Sequence, residues 1–399
     1  MTPENLPREG PLARFRVLDL SRLRAGPAAA RQFADWGADV IKVESPASLE
    51  VSDGWIGKRV GSDFQNMHRN KRSLTINFKA PEGIAILRRL ADDSDVVIEN
   101  FRPGVKHRLG FDYETLRRSN PRLVYASISG FGQDGPYANR PGYDHIVQGM
   151  GGLMALTGEK GQPPLRTGIS LADIGVGLYA ALGILTALLE REASGQGQWV
   201  QTSLLEAMIA LTDYQAARWL MDKEIPQQAG NDHPTAIPTG VFPTSDGHIN
   251  IATAGEEMWG RLCLALDAPG MQARPEYADN DQRSRNRDLL KEEISRITRR
   301  RPSGEWVRIF EKASVACGPI YRMNEVFDDP QVKHLGVAAN LTHAQLGPLQ
   351  VVGQPYRLSR TPSRMRNATP GRGEHTDEIL QGLGYTQLQI DDLRARQVV

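Results

Sequence analysis

The sequence predicts an α/β protein: a large, Rossmann-like domain on a parallel sheet, joined to a smaller α+β domain. Three observations lead there. Apolar runs of strand length alternate with helix-length segments through residues 16–127, the signature of βαβ units. Composition then shifts over residues 226–243, where four prolines stand among turn residues. Finally, 399 residues exceed what one ordinary core serves.

Taken in order, residues 16–20 read as a strand and 28–36 as a helix that Gly37 ends. Strands follow at 39–43 and at 73–77, the latter with period-2 alternation. Pro81 opens a helix to about Asp92, Pro being favoured at the first helical position. A short apolar run at 95–98 suits a buried strand; 113–119 is helical and 122–127 is a strand. Residues 130–152, rich in Gly, Pro and Tyr, read as a functional loop region. A long helix is expected over 174–192, ended by Ser194-Gly195-Gln196-Gly197, and another over 204–221. The apolar stretch 174–189 is short for a membrane span and reads as a buried helix. Past the proline-rich segment come a strand at 247–252 and helices at 259–266, 288–298 and 303–312. The tail from Val326 is Pro/Gly-rich and closes in a helical pair over 378–397.

Lys plus Arg is 48 against 47 for Asp plus Glu, without the basic excess of a nucleic-acid binder. The two cysteines, Cys263 and Cys317, suggest free thiols in a reducing, cytoplasmic setting rather than disulfides or a zinc site. The start, Met1-Thr2-Pro3-Glu4-Asn5, has neither the charged region nor the apolar run of a signal peptide.

A strand, turn and helix at the start invite a dinucleotide site, but the turn Ser21-Arg22-Leu23-Arg24-Ala25-Gly26-Pro27 holds one glycine of the three required. No G-x-S-x-G elbow is present, and the eight histidines show no H-E-x-x-H spacing, so no metal is expected. Asp173 differs, lying between a Gly-bearing turn and an apolar helix. It reads as an N-cap. The same physics also allows a nucleophile toward an activated acyl group, kept ionised by the helix terminus, whose free N–H groups could also steady an oxyanion. Gly175 and Gly177 cost helix propensity and imply close approach of a ligand or another helix.

A set of ordered motifs spans nearly the whole chain: Val17-Leu18-Asp19-Leu20 with Ala25-Gly26-Pro27, Gly37-Ala38-Asp39-Val40-Ile41-Lys42-Val43-Glu44, Asn70-Lys71-Arg72-Ser73 and Glu99-Asn100-Phe101-Arg102-Pro103-Gly104. Gly130-Phe131-Gly132, Gly142-Tyr143-Asp144, Ala172-Asp173-Ile174, Gly195-Gln196-Gly197-Gln198 and Gly373-Glu374-His375-Thr376 continue it. By these motifs the chain resembles the family III CoA-transferases, the CaiB/BaiF family of formyl-CoA and carnitine CoA-transferases. The resemblance implies that Asp173 attacks a donor thioester, forming a mixed anhydride and then an aspartyl-CoA thioester, from which CoA passes to an acceptor acid. It implies coenzyme A and acyl-CoA as substrates and no tightly bound cofactor. CoA contacts are implied at Ala25, at Ile76, Asn77, Phe78 and Lys79, at Asn100, Phe101 and Arg102, and at Arg108. Tyr143 and Asp144 are expected at the substrate. A large domain built from residues 1–225 and 326–399, a small one over 226–325 and an interlocked homodimer are implied as well.

Two departures bear on specificity. Arg24 stands where formyl-CoA transferase has Gln, and an Arg there could pair with a second carboxylate, as on succinyl; Arg166 is a second candidate. Thr253-Ala254-Gly255-Glu256-Glu257 replaces that enzyme's glycine-rich loop. The alternatives are an α-methylacyl-CoA racemase, in which Tyr143 occupies the position of the catalytic His with His145 two residues on, and a non-catalytic acyl-CoA-binding relative.

Overall fold

The computed structural model describes residues 9–49 and 58–399. The N-terminal pentapeptide read above for a leader lies outside them. The chain forms two compact units. The first gathers the described residues up to Leu153, then Arg166–Glu224 and Lys333–Val399; the second comprises Met154–Leu165 and Ile225–Val332.

The first unit is built on a sheet of six parallel strands: β1 (Arg16–Asp19), β2 (Asp39–Glu44), β3 (Lys71–Thr75), β4 (Val96–Glu99), β5 (Val124–Ser129) and β6 (Trp199–Ser203). Their order is β3-β2-β1-β4-β5-β6. β4 and β5 are buried throughout, as strands covered on both faces must be. Successive side chains go to opposite faces. Val17, Val96 and Val124 join one apolar cluster, while Leu18, Val97 and Tyr125 join the other.

Helices α1 (Ala25–Asp35), α2 (Ser62–His68), α3 (Pro81–Asp92), α4 (Pro103–Leu109), α5 (Asp144–Met150), α6 (Leu171–Ser194) and α7 (Leu204–Leu211) matter most for the site. α1 and α6 cover the first face, through Ala29, Phe33, Val176 and Ile184. α3 covers the second, together with C-terminal residues such as Leu380, Ile390 and Val399. The C-terminal segment is tied to the sheet by the main chain as well: Asn77 N donates to Val398 O at 2.8 Å and His375 N to Ser73 O at 2.9 Å.

Gly177 explains how tightly α1 and α6 pack. A Cβ there would lie 2.8 Å from Ala25 O and 2.8 Å from the Ala28 methyl. A Cβ on Gly175 would lie 2.4 Å from Leu211 Cδ1 of α7. Both glycines serve helix contacts. Although α6 is long and apolar enough to cross a membrane by composition, half of its most apolar window is buried inside the protein.

Three local expectations are corrected. The 130–152 segment is not all loop, because it contains α5. The helix expected over 204–221 breaks after Leu211, where Asp213 takes a φ of 43°. β6 was not anticipated; it is an edge strand, mostly half-buried, and lacks the apolar run of its neighbours.

The second unit holds an antiparallel sheet of Gly240–Pro243, His248–Ala252 and Ala316–Pro319. His248–Ala252 alternates outward and inward, and Ile249 and Ile251 pack on Trp259, Leu262 and Phe310.

Candidate active site

Strand order reverses between β1 and β4, and open α/β sheets bind ligands where the loops leaving the strands' carboxyl ends diverge. A cleft of about 1360 Å³ opens there in the first unit. Its walls include the loop after β1 (Arg22 to Ala25), the loop after β4 (Asn100 to Arg102), the start of α5 and the first turn of α6.

The two loops are joined by one side chain. Asn100 Nδ2 donates to Arg22 O at 2.8 Å, and Asn100 Oδ1 accepts from Arg22 N at 2.9 Å. The β1 loop is also anchored from beneath. Asp19 Oδ1 accepts from Ser21 N at 3.0 Å and from Ser21 Oγ, while Lys42 Nζ donates to Ser21 O at 3.3 Å. Asp19 Oδ2 is 2.8 Å from Lys71 Nζ, both side chains being fully buried. Burial pushes the Asp19 carboxyl up, but Lys71 and Lys42 outweigh it and hold it below its ordinary value. Burial takes the Lys71 ammonium down to about 8 against the pull of Asp19. Leu23 adopts φ 63°, a left-handed conformation that costs a non-glycine residue energy and turns the chain toward Arg24.

Asp173 lines the cleft as the third residue of α6. Ser170, not Asp173, holds the cap position, and its side chain makes no cap hydrogen bond. The cap comes from elsewhere: Asp144 Oδ1 on α5 accepts from Ala172 N at 2.8 Å and Asp173 N at 3.3 Å. Leu171 N donates to Ile169 O and Ile174 N to Ser170 O. The first-turn N–H groups are therefore engaged, and the expectation that they are free for an oxyanion is corrected. Nor is the helix terminus what sets the ionisation of Asp173, since no first-turn N–H bonds to its carboxylate. Burial, and then the negative charge of Asp144, push its carboxyl up to about 6, with Arg24 pulling the other way.

The cleft brings together Arg24, Ala25, Phe78, Lys79, Asn100, Phe101, Arg102, Tyr143, Asp144, Arg166 and Asp173, of the residues singled out in the sequence. Arg24 Nη2 lies 3.0 Å from Asp63 Oδ2 on α2, a carboxylate 75% exposed. Phe78 and Phe101 meet edge to face at 6.0 Å. Three expected contacts fall outside its lining. Ile76 is fully buried in the core, Asn77 Nδ2 turns to Gln397 O, and Arg108 is exposed on the last turn of α4. Lys42, Arg59 and Arg140 line the cleft without having been singled out, giving it an excess of cations. Among the described residues no cluster of His, Cys, Asp and Glu is grouped to hold a metal ion.

The arrangement is a carboxylate of raised basicity in a large, cation-lined cleft. The sequence model of CoA-transferase family III matches residues 12–376. The chain is similar to a succinate–glutarate CoA-transferase of Agrobacterium fabrum, with 38% identity over 94% of this chain and 96% of that one. It is similar also to the human succinyl-CoA:glutarate CoA-transferase, with 33% identity over 98% of this chain and 90% of that one. Among solved structures, a CaiB/BaiF family protein from Brucella suis matches with a TM-score of 0.83 and 34% identity, covering 94% of this chain and 100% of that one.

Proposed function

The chain belongs to CoA-transferase family III, and from that premise we propose that it moves CoA from succinyl-CoA to a dicarboxylic acid such as glutarate, with Asp173 as nucleophile. The observation that carries this reading is Asp173 itself, a carboxylate pushed up to about 6 on the wall of the cleft.

The steps exchange one activated acyl group for another. The Asp173 carboxylate attacks the thioester carbonyl carbon and the C–S bond breaks, giving a mixed anhydride and CoA thiolate. The thiolate attacks the Asp173 carbonyl, releasing the donor acid and forming an aspartyl-CoA thioester. The acceptor carboxylate attacks that carbonyl, giving a second anhydride. The thiolate then takes the acceptor acyl group and restores Asp173. No water is consumed and no redox step occurs.

Around this chemistry, Lys79 and Arg102 suit the phosphates of CoA, and the Phe78–Phe101 pair offers it an apolar wall. Arg24 suits the distal carboxylate of a dicarboxylic acyl group, which would replace Asp63 as its partner. A second copy of the chain is proposed to cover the exposed apolar face of α6, which presents Leu178, Leu182 and Leu189; an interlocked dimer would do so. A cytoplasmic location fits the two free cysteines.

The test is an exchange assay read by mass spectrometry. Succinyl-CoA is incubated with a panel of mono- and dicarboxylic acids and wild-type or Asp173→Ala protein. New acyl-CoA from dicarboxylic acids with wild type alone supports the reading. Absence of exchange with every acid rejects the succinyl donor.

A further inference from the structure

We propose that Asp144 is the positioning residue of the nucleophile: it fixes the first turn of α6 through the main chain and occupies the helix N–H groups that would otherwise stabilise the Asp173 carboxylate. The inference rests on the CoA-transfer reading above and adds to it the device that keeps the nucleophile reactive.

The geometry is a built network. Asp144 is 7% exposed and Gln148, one turn on along α5, is fully buried. Asp144 Oδ1 accepts from Ala172 N and Asp173 N, while Gln148 Nε2 donates to Asp144 Oδ2 at 2.7 Å. Gln148 also grips the approach to α6: its Oε1 accepts from Thr167 N and Oγ1 at 3.1 Å each, and its Nε2 reaches Ile169 O at 3.2 Å. The entry to the helix thus hangs from α5 by both residues. Arg166 Nη2 stands 3.9 Å from Asp144 Oδ2.

The chemical consequence follows from where the helix's positive end is spent. A carboxylate at a helix start is normally stabilised by free N–H groups, which makes it a weaker base. Here those groups already bond to a second carboxylate, and that second charge faces the first. The neighbours of Asp173 do not cancel this. Arg24, just before α1, opposes it only in part. Farther along α1, Arg31 Nη1 donates to Asn66 O, and Asp35 is held by Arg69. On α5, His145 is exposed; on α7, Glu206 accepts from Ser203 Oγ. The sequences of β5 and β6, which also pack against α6, contain no charged residue. A more basic carboxylate is the better nucleophile once ionised.

The test follows formation of the acyl adduct on Asp173 in a single turnover with succinyl-CoA, quenched and read by mass spectrometry across a pH series. Asp144→Asn keeps an acceptor oxygen and removes the charge, Asp144→Ser does so with a smaller group should Asn not fold, and Asp144→Glu keeps the charge. Wild type is expected to lose rate below a limb near pH 6. The Asn variant is expected to move that limb to lower pH and to lower the plateau rate about threefold or more. Glu returns the limb toward wild type. An unmoved limb in both neutral variants, or equal losses in the Asn and Glu variants, overturns the proposal. A wild type that forms no adduct overturns the nucleophile reading with it, and the wild-type control separates that failure from the first.

Discussion

The side-chain amide of Asn100 closes on the main chain of Arg22 with both ends, donating at 2.8 Å and accepting at 2.9 Å. Seventy-eight residues separate them, and the pair joins the two loops that diverge at the reversal of strand order. Asn100 thus acts on the loop that presents Arg24 and Ala25. Two hydrogen bonds to main chain are worth about 1–3 kcal/mol together. Asn100→Ala is therefore expected to cut kcat/KM about tenfold with the fold intact. Steady-state kinetics beside a thermal unfolding curve checks this; unchanged kcat/KM would contradict it.

The raised basicity of Asp173 has a stability consequence. Its folded-state carboxyl lies near 6 against an ordinary 3.8, so the folded state holds the proton more tightly than the unfolded one. Below about pH 4 both states are protonated and ionisation costs nothing. As pH rises through 6 the folded chain bears the full cost of a buried negative charge. Asp173→Asn removes that cost, on the order of 1–3 kcal/mol. The variant is expected to be inactive yet to melt higher than wild type at pH 8, with the gain gone at pH 4. A lower melting temperature at pH 8 would contradict the shift.

Arg24 opposes the upward push on Asp173. Arg24→Gln is therefore expected to move the acid limb of kcat to higher pH. It is also expected to raise KM for a dicarboxylic acceptor about tenfold or more while leaving a monocarboxylic acceptor little affected. A pH–rate series with both acceptor types measures the two effects. Equal changes in KM for both would remove Arg24 from substrate recognition.

Lys71 and Asp19 are a fully buried pair beneath the β1 loop. Removing one partner strands the other charge in the core. Lys71→Ala is expected to cost about 3–5 kcal/mol in chemical denaturation. A cost under 1 kcal/mol would show that water reaches the pair.

Much of this was legible along the chain because it is local. The apolar runs of β1 to β5 and the long helix around Asp173 follow from periodicity and from glycine and proline punctuation. What escaped is what depends on distant partners. Asp144 is expected at the substrate from its motif, but its hold on the helix start is invisible until the fold brings it under Ala172, 28 residues on. The spacing of Asp144 and Gln148, one helical turn apart, was the available signal for α5. Ile76 was expected as a contact from the family resemblance by position, yet its register on the strand's continuation turns it fully into the core. β6 escaped because an edge strand needs no apolar run.

Whether Asp173 carries the acyl group is read by trapping that group on the protein. Wild-type protein is incubated with succinyl-CoA and hydroxylamine, digested, and its peptides weighed. A hydroxamate is expected on the peptide that contains Asp173, at Asp173 itself, and none in the absence of acyl-CoA. CoA transfer that continues at full rate while that peptide stays unmodified would contradict it.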